Sequence, residues 1–162
     1  MTDFKTRGKV LTITVGLPAC GKTTFAETAG FDVNVSLDDC REALWGDKRI
    51  QDGPGGLDAL LDMQDKWIES AMQENRSVLV HNTNILEKHR RPLIDMAKRY
   101  GYRTQIVYFD VPLEACIKKN KERPDSVPVP VIENFNQLME KPRPDEADLV
   151  IDYSRLREEA IF

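Results

Sequence analysis

A chain of 162 residues, 41% hydrophobic and 31% charged, is long enough for one domain with a real core. No apolar run approaches the roughly 18 residues of a membrane span, and Met1-Thr2-Asp3-Phe4-Lys5 has no signal-peptide core. The net charge of −4 argues against broad wrapping of nucleic acid, although a local basic patch can still grip one strand end. Cys20, Cys40 and Cys116 are widely spaced and form no metal or disulfide pattern, so no membrane association and a cytoplasmic, reducing home are expected.

Val10–Val15 reads as a strand, with Leu11, Ile13 and Val15 in alternation. Gly16-Leu17-Pro18-Ala19-Cys20-Gly21-Lys22-Thr23 follows and matches G-x-x-x-x-G-K-[ST] at every fixed position. Residues 23–29 then read as a short helix with Phe25, Ala26 and Ala29 on one face and Gly30 as its stop. Glycines let such a loop curl its N–H groups toward phosphate oxygens, and the helix start adds free donors and partial positive charge. Gly16, Pro18, Ala19, Cys20, Gly21, Lys22, Thr23 and Thr24 are therefore the expected contacts of a nucleotide, ATP or GTP, with Lys22 reaching the β- and γ-phosphates and the Thr23 hydroxyl on Mg²⁺. Cys20 is read as a small residue without chemistry of its own.

A second strand is expected over residues 32–35, with a helix starting near Arg41 and running to Trp45. Asp38 lies just past that strand and is the candidate general base, with Asp39 as competitor; the bland reading makes either one a cap for a helix beginning near Cys40. Arg41 offers a planar fork for a substrate phosphate, or is simply a solvated helix charge. Residues 46–56 are polar and glycine-rich, hence a loop. Residues 57–75 form the longest helical pattern, with Leu57, Leu60, Leu61, Trp67, Ile68, Ala71 and Met72 in one stripe.

A short apolar strand over residues 77–80 closes on His81-Asn82-Thr83-Asn84, where Asn82, Thr83 and Asn84 are candidate substrate contacts or local turn caps. His81 can titrate near neutrality, while His89, beside Arg90 and Arg91, is read as facing solvent. A helix over residues 88–100, a strand over 104–109 and a helix from Pro112 to Lys121 follow. Residues 122–130 are charged and proline-punctuated. Arg123 in this loop is the candidate transition-state cation, and Lys118 and Lys119 just before it are candidate backbone contacts for nucleic acid. A helix over residues 131–139, a proline-rich turn over 141–146 with Arg143 as a candidate to stack on adenine, the strand Leu149–Asp152 and a charged tail complete the chain.

Strands alternating with helices imply an α/β fold: a three-layer sandwich of the P-loop NTPase kind, with a parallel sheet of about five strands, helices on both faces and ligands beyond the strands' carboxyl ends. Residues 1–162 are expected to be one domain, with a lid at about 118–130.

Taken together, these segments resemble the 5′-hydroxyl polynucleotide kinases, both the phage type and the kinase half of the animal end-repair enzyme. The resemblance rests on the phosphate loop, on Asp38-Asp39-Cys40-Arg41, on Asn82-Thr83-Asn84, on Tyr108-Phe109-Asp110-Val111-Pro112, on residues 120–123 with Val127-Pro128, and on residues 139–147. It implies ATP and Mg²⁺, Asp38 rather than Asp39 as base, Arg41 as an acceptor contact and Arg123 as the lid cation. The acceptor it implies is a 5′-hydroxyl of DNA or RNA. The pair His81-Asn82 departs from the family, whose acceptor turn carries acidic residues, and the phage enzyme's phosphatase signature is missing. Three other readings remain: a kinase of hydroxymethyluracil in DNA, a small-molecule kinase, and a nucleotide-binding module that transfers nothing.

Overall fold

The computed structural model describes residues 3–159. Five parallel strands form one sheet in the order β2-β3-β1-β4-β5, comprising β1 (Val10–Val15), β2 (Val33–Val35), β3 (Val78–Val80), β4 (Arg103–Tyr108) and β5 (Leu149–Asp152). β1 lies at the centre and every one of its residues is buried, the mark of a strand covered on both faces. Its threonines are satisfied inside the sheet: Thr12 Oγ1 accepts from Gln105 Nε2 at 2.9 Å, and Thr14 Oγ1 donates to the Asn82 carbonyl at 2.9 Å.

Helices cover both faces. α3 (Gly56–Gln73) and α4 (Glu87–Arg99) pack Ile68, Met72, Leu93 and Ala97 against Leu11, Ile13, Val15 and Ile106. On the other face α1 (Lys22–Thr28), α5 (Leu113–Lys121), α6 (Val129–Leu138) and α7 (Tyr153–Glu158) bring Phe25, Cys116, Ile132 and Leu156 against Val10, Leu79, Val107 and Ile151. The three-layer α/β sandwich and its five parallel strands are as the sequence implies.

Four local readings need correction. The helix α2 spans Leu37–Trp45, four residues earlier than expected, because Ser36 caps it by accepting the Asp39 N–H at 3.1 Å. Asp38 and Asp39 are therefore first-turn residues and not the cap. In α3, Leu57 and Leu61 are exposed, and the buried stripe passes through Gln64, which the expected apolar pattern passed over. α6 begins at Val129, with Val131 and Leu138 exposed. The charged tail contains α7, whose Leu156 is fully buried. No helix among the described residues is long and apolar enough to cross a membrane.

Candidate active site

All strands run the same way, so the turns after β1, β2 and β3 emerge at one end of the sheet. The loop after β1 is the phosphate loop. A side chain at Gly16 is sterically barred, since its Cβ would lie 2.7 Å from Cys20 Sγ and 2.8 Å from Phe109 Cβ. Gly21 holds φ +107 at the N-cap of α1, where no side chain caps the helix, leaving the first N–H groups of α1 to an incoming anion. The Lys22 ammonium is turned back onto its own loop: it donates to the Gly16 carbonyl at 3.0 Å, the Leu17 carbonyl at 2.5 Å and Cys20 Sγ at 3.3 Å. Cys20, read from sequence as inert, thus packs under Gly16 and accepts from Lys22. Thr23 is exposed and its hydroxyl makes no hydrogen bond among the described residues.

The 82–84 turn is fastened to this loop. Gly16 N–H donates to the Thr83 carbonyl at 3.0 Å, and Asn84 Nδ2 to the Thr14 carbonyl at 2.9 Å. Asn82 Oδ1 accepts the Leu37 N–H at 2.7 Å, while its Nδ2 donates to Gln64 Oε1 at 2.8 Å. Both ends of the Asn82 amide are therefore spent inside the protein, joining α2 and α3 to the turn after β3. Only Thr83 in this turn keeps a side chain without a protein hydrogen bond among the described residues.

α2 starts from this clamp and displays Asp38 and Asp39, both exposed. Arg41 Nη1 donates to Asp38 Oδ1 at 2.8 Å, and Arg41 Nε is buried with no partner among the described residues. His81, half-buried at the end of β3, marks where these groups meet. Burial pushes its imidazole below the usual 6.5, Asp39 and Asp38 pull it back up, and Lys22 adds to the lowering. One imidazole thus lies within electrostatic reach of both the α2 carboxylates and the phosphate-loop lysine.

The candidate lid lies beside the same opening. Cys116 of α5, pushed up to about 11 chiefly by burial, also feels Cys20 and Lys22. The buried Asn120 amide pinches the following loop, donating to the Val127 carbonyl at 2.7 Å and accepting its N–H at 2.9 Å. Lys48, in the loop after α2, pairs with Asp125 at 2.7 Å and also senses Asp38, while Asp125 feels Arg123. Arg123 is exposed, with no side-chain hydrogen bond or ion pair among the described residues.

Arg143 sits elsewhere in the bonding pattern. It pairs with Glu87 at the start of α4 at 2.8 Å and with Asp145 at 3.1 Å, and no bond links it to the phosphate loop. Sequence reasoning missed three structural residues: Gln64, Arg90 and Asn120. Each is a polar residue buried inside a run that reads as solvated, and the sequence carries no local signal for them.

No three His, Cys, Asp or Glu side chains among the described residues could jointly hold a metal. Mg²⁺ takes few protein ligands and keeps water and phosphate oxygens. Thr23, one residue after Lys22, offers a hydroxyl oxygen, and Asp38 and Asp39 in the first turn of α2 offer carboxylates.

A family model described as an AAA domain matches residues 11–142. The chain belongs to the AAA domain family. This AAA domain is 27% identical over 138 residues to an L-seryl-tRNA(Sec) kinase of Methanococcus maripaludis; the match covers 82% of the chain and 53% of that relative, so the chain spans about half its length. Among solved structures it resembles a chain of the Pnkp1/Rnl/Hen1 RNA repair complex, with a TM-score of 0.70 and 22% identity over 84% of this chain and 45% of that one. A sugar kinase from Janibacter sp. HTCC2649 gives a TM-score of 0.65 and 18% identity over 95% and 92% of the two chains. At such identities the structural likenesses establish the P-loop kinase-type fold.

Proposed function

We propose that this domain is a phosphotransferase that moves the γ-phosphoryl group of ATP to a hydroxyl on a nucleic-acid acceptor, the 5′-hydroxyl of DNA or RNA being favoured. The observation that carries the proposal is the Asp38–Arg41 pair in the first turns of α2, 2.8 Å apart, with the Asp38 carboxylate exposed. A carboxylate held beside a guanidinium can take a hydroxyl's proton while the guanidinium grips a neighbouring phosphate.

In this reading the phosphate loop and the start of α1 bind the donor's phosphates through backbone N–H groups. Lys22 leaves its carbonyl partners and turns onto the β- and γ-phosphates. Mg²⁺, held on the protein side by Thr23, would neutralise phosphate charge. Asp38 accepts the proton of the attacking hydroxyl, Arg41 and Thr83 fix the acceptor, and Arg123 is carried in by the 118–130 loop to balance charge on the transferring group. A guanidinium beside the base fits an acceptor bearing a phosphate next to its hydroxyl, which a polynucleotide end has and a free sugar lacks. The L-seryl-tRNA(Sec) kinase relative supports a second reading, in which the hydroxyl belongs to a group carried on RNA.

Transfer of radiolabel from ATP to five acceptors tests this. They are a 5′-hydroxyl oligodeoxynucleotide, a 5′-hydroxyl oligoribonucleotide, a duplex containing hydroxymethyluracil, a seryl-tRNA and a metabolite mixture. Label on either oligonucleotide is expected. Label only on metabolites, or on nothing despite nucleotide binding, refutes the nucleic-acid reading.

A further inference from the structure

Arg90 is the largest fully buried side chain in the described protein, and nothing in phosphoryl transfer as outlined uses it. Its guanidinium faces Glu146, the two side chains being 2% and 5% exposed. Nε and Nη2 donate to Glu146 Oε1 at 3.2 and 3.0 Å, and Nη2 also reaches Oε2 at 3.3 Å. The remaining arm does something else: Nη1 donates to the Asn84 carbonyl at 2.8 Å.

Stability alone is a poor reason for this arrangement. Replacing a buried ion pair with apolar side chains of similar volume is often neutral or stabilising, because desolvation consumes the Coulombic gain. The arm to Asn84 is what an apolar pair would lack. Asn84 has φ +46, in the left-handed region that L side chains rarely adopt, and such a residue keeps that conformation only when its surroundings fix it. Two bonds do so. Its amide reaches back to the Thr14 carbonyl, and its own carbonyl is held by Arg90. Beside it, Thr83 accepts the Gly16 N–H and the Asn82 carbonyl accepts from Thr14 Oγ1. Glu146 also accepts the Arg143 N–H at 2.7 Å, and the Glu140 N–H donates to the Ile85 carbonyl at 2.8 Å, so the segment before β5 is anchored to the same point.

We propose that Arg90 is a positioning residue for phosphoryl transfer: through Asn84 it fixes the 82–84 turn against the last residues of β1, holding the acceptor side of the cleft at one spacing from the phosphate loop. This rests on the phosphotransferase reading above. Arg90 touches neither donor nor acceptor in this account, and Glu146 serves to hold its fork in plane. Lysine cannot replace it, because one ammonium cannot span both Glu146 oxygens and the Asn84 carbonyl in a fixed geometry.

The test is the double variant Arg90→Met/Glu146→Leu, which removes the pair without stranding a buried charge. Melting temperature close to wild type is expected. The Gly16 amide, bonded to Thr83, should exchange with deuterium at least several-fold faster. With ATP and a 5′-hydroxyl oligonucleotide, kcat should fall about 10- to 100-fold, the scale on which ångström misplacement acts, and acceptor KM should rise. ADP affinity should stay within roughly twofold, since Lys22 and the α1 start lie outside the network. A folded double variant with wild-type Gly16 exchange and wild-type kcat overturns the proposal, as does an activity loss that merely follows a loss of melting temperature. Should the double variant not fold, Arg90→Lys, which keeps the charge opposite Glu146, decides by the same readouts. If the wild-type protein labels no acceptor, the phosphotransferase reading falls by itself. Gly16 exchange then still separates a fixed turn from an indifferent one.

Discussion

Gly16→Ala places one methyl group where the phosphate loop has no room. The new Cβ would sit 2.7 Å from Cys20 Sγ and 2.8 Å from Phe109 Cβ. Phe109 cannot withdraw: it is 2% exposed, stacked on Tyr153 with ring centroids 4.3 Å apart and edge-on to Phe25 at 5.7 Å. Cys20 is also 2% exposed and accepts from Lys22. The loop must therefore lift, straining or breaking the bond from Gly16 N–H to the Thr83 carbonyl. Overpacking of this kind costs about 1–3 kcal/mol. For a domain of this size that is a fall of about 2–12 °C in melting temperature, at about 2–4 °C per kcal/mol. The same displacement moves the N–H groups meant for phosphate, so ADP should bind roughly tenfold more weakly, at about 1.4 kcal/mol per decade. Thermal melts with and without ADP, and titration calorimetry, measure both. Adding Cys20→Ala removes the contact with sulfur but not with the ring, so the double variant should recover part of the loss. An unaltered melting temperature and affinity in Gly16→Ala would refute the packing argument, and complete recovery by Cys20→Ala would show that Phe109 is not the wall.

Asp38→Asn should lower kcat by about 10²–10⁴, the usual worth of a positioned base, with ADP affinity retained, and Arg123→Ala should likewise lower kcat while leaving the melting temperature unchanged. Single-turnover transfer and binding assays separate the two effects, and wild-type turnover in either variant removes that residue from the mechanism. The imidazole of His81 is held below 6.5 by burial, so the unfolded chain takes up a proton before the folded one does as pH falls. Its contribution to stability is complete above about pH 6.5 and is lost as pH drops through the lower folded value; His89, lowered by burial and by Lys88 and Arg90, acts in the same direction. Urea midpoints measured from pH 7.5 down to 5.5 should decline, and less steeply in His81→Asn. Lys48→Ala should leave global stability nearly unchanged, as for other exposed pairs, yet expose residues 118–123 to faster trypsin cleavage once the bond to Asp125 is gone; an unaltered nicking rate would show that this pair does not restrain the loop.

The parts of this protein that are legible in sequence are those fixed by local rules. A fixed glycine spacing between an apolar strand and a helix announces the phosphate loop, because no other residues allow Gly16 to pass under Phe109 or Gly21 to hold φ +107. Strand–helix alternation yields the parallel sheet. The start of α2 is not legible in sequence, because the acidic pair at 38–39 reads as a cap, whereas Ser36 one residue before the helix does the capping. Leu57 and Leu61 fit a helical stripe as well as Gln64 does not, yet Gln64 is buried, since Asn82 on a distant strand end needs an acceptor. Arg90 and Asn120 are likewise explained only by partners many residues away or across a loop, at Glu146, Asn84 and Val127. Periodicity carries no trace of such pairings.

The position of Lys22 links these local facts to function. Its ammonium is bonded to two carbonyls and a sulfur and is only 8% exposed. Hydrogen bonds to a charged group are worth roughly 1.5–3 kcal/mol each, so a ligand must offer more than a single weak acceptor to draw the side chain out. A polyphosphate does so, because it brings several charged oxygens to the same loop N–H groups that Lys22 flanks, while a lone carboxylate or a neutral sugar does not. Turning Lys22 outward also releases the Gly16 and Leu17 carbonyls and the Cys20 sulfur, beside the one N–H, that of Gly16, which ties the loop to Thr83. Gly16 thus carries both the carbonyl that holds Lys22 in this conformation and the N–H that ties the phosphate loop to the 82–84 turn.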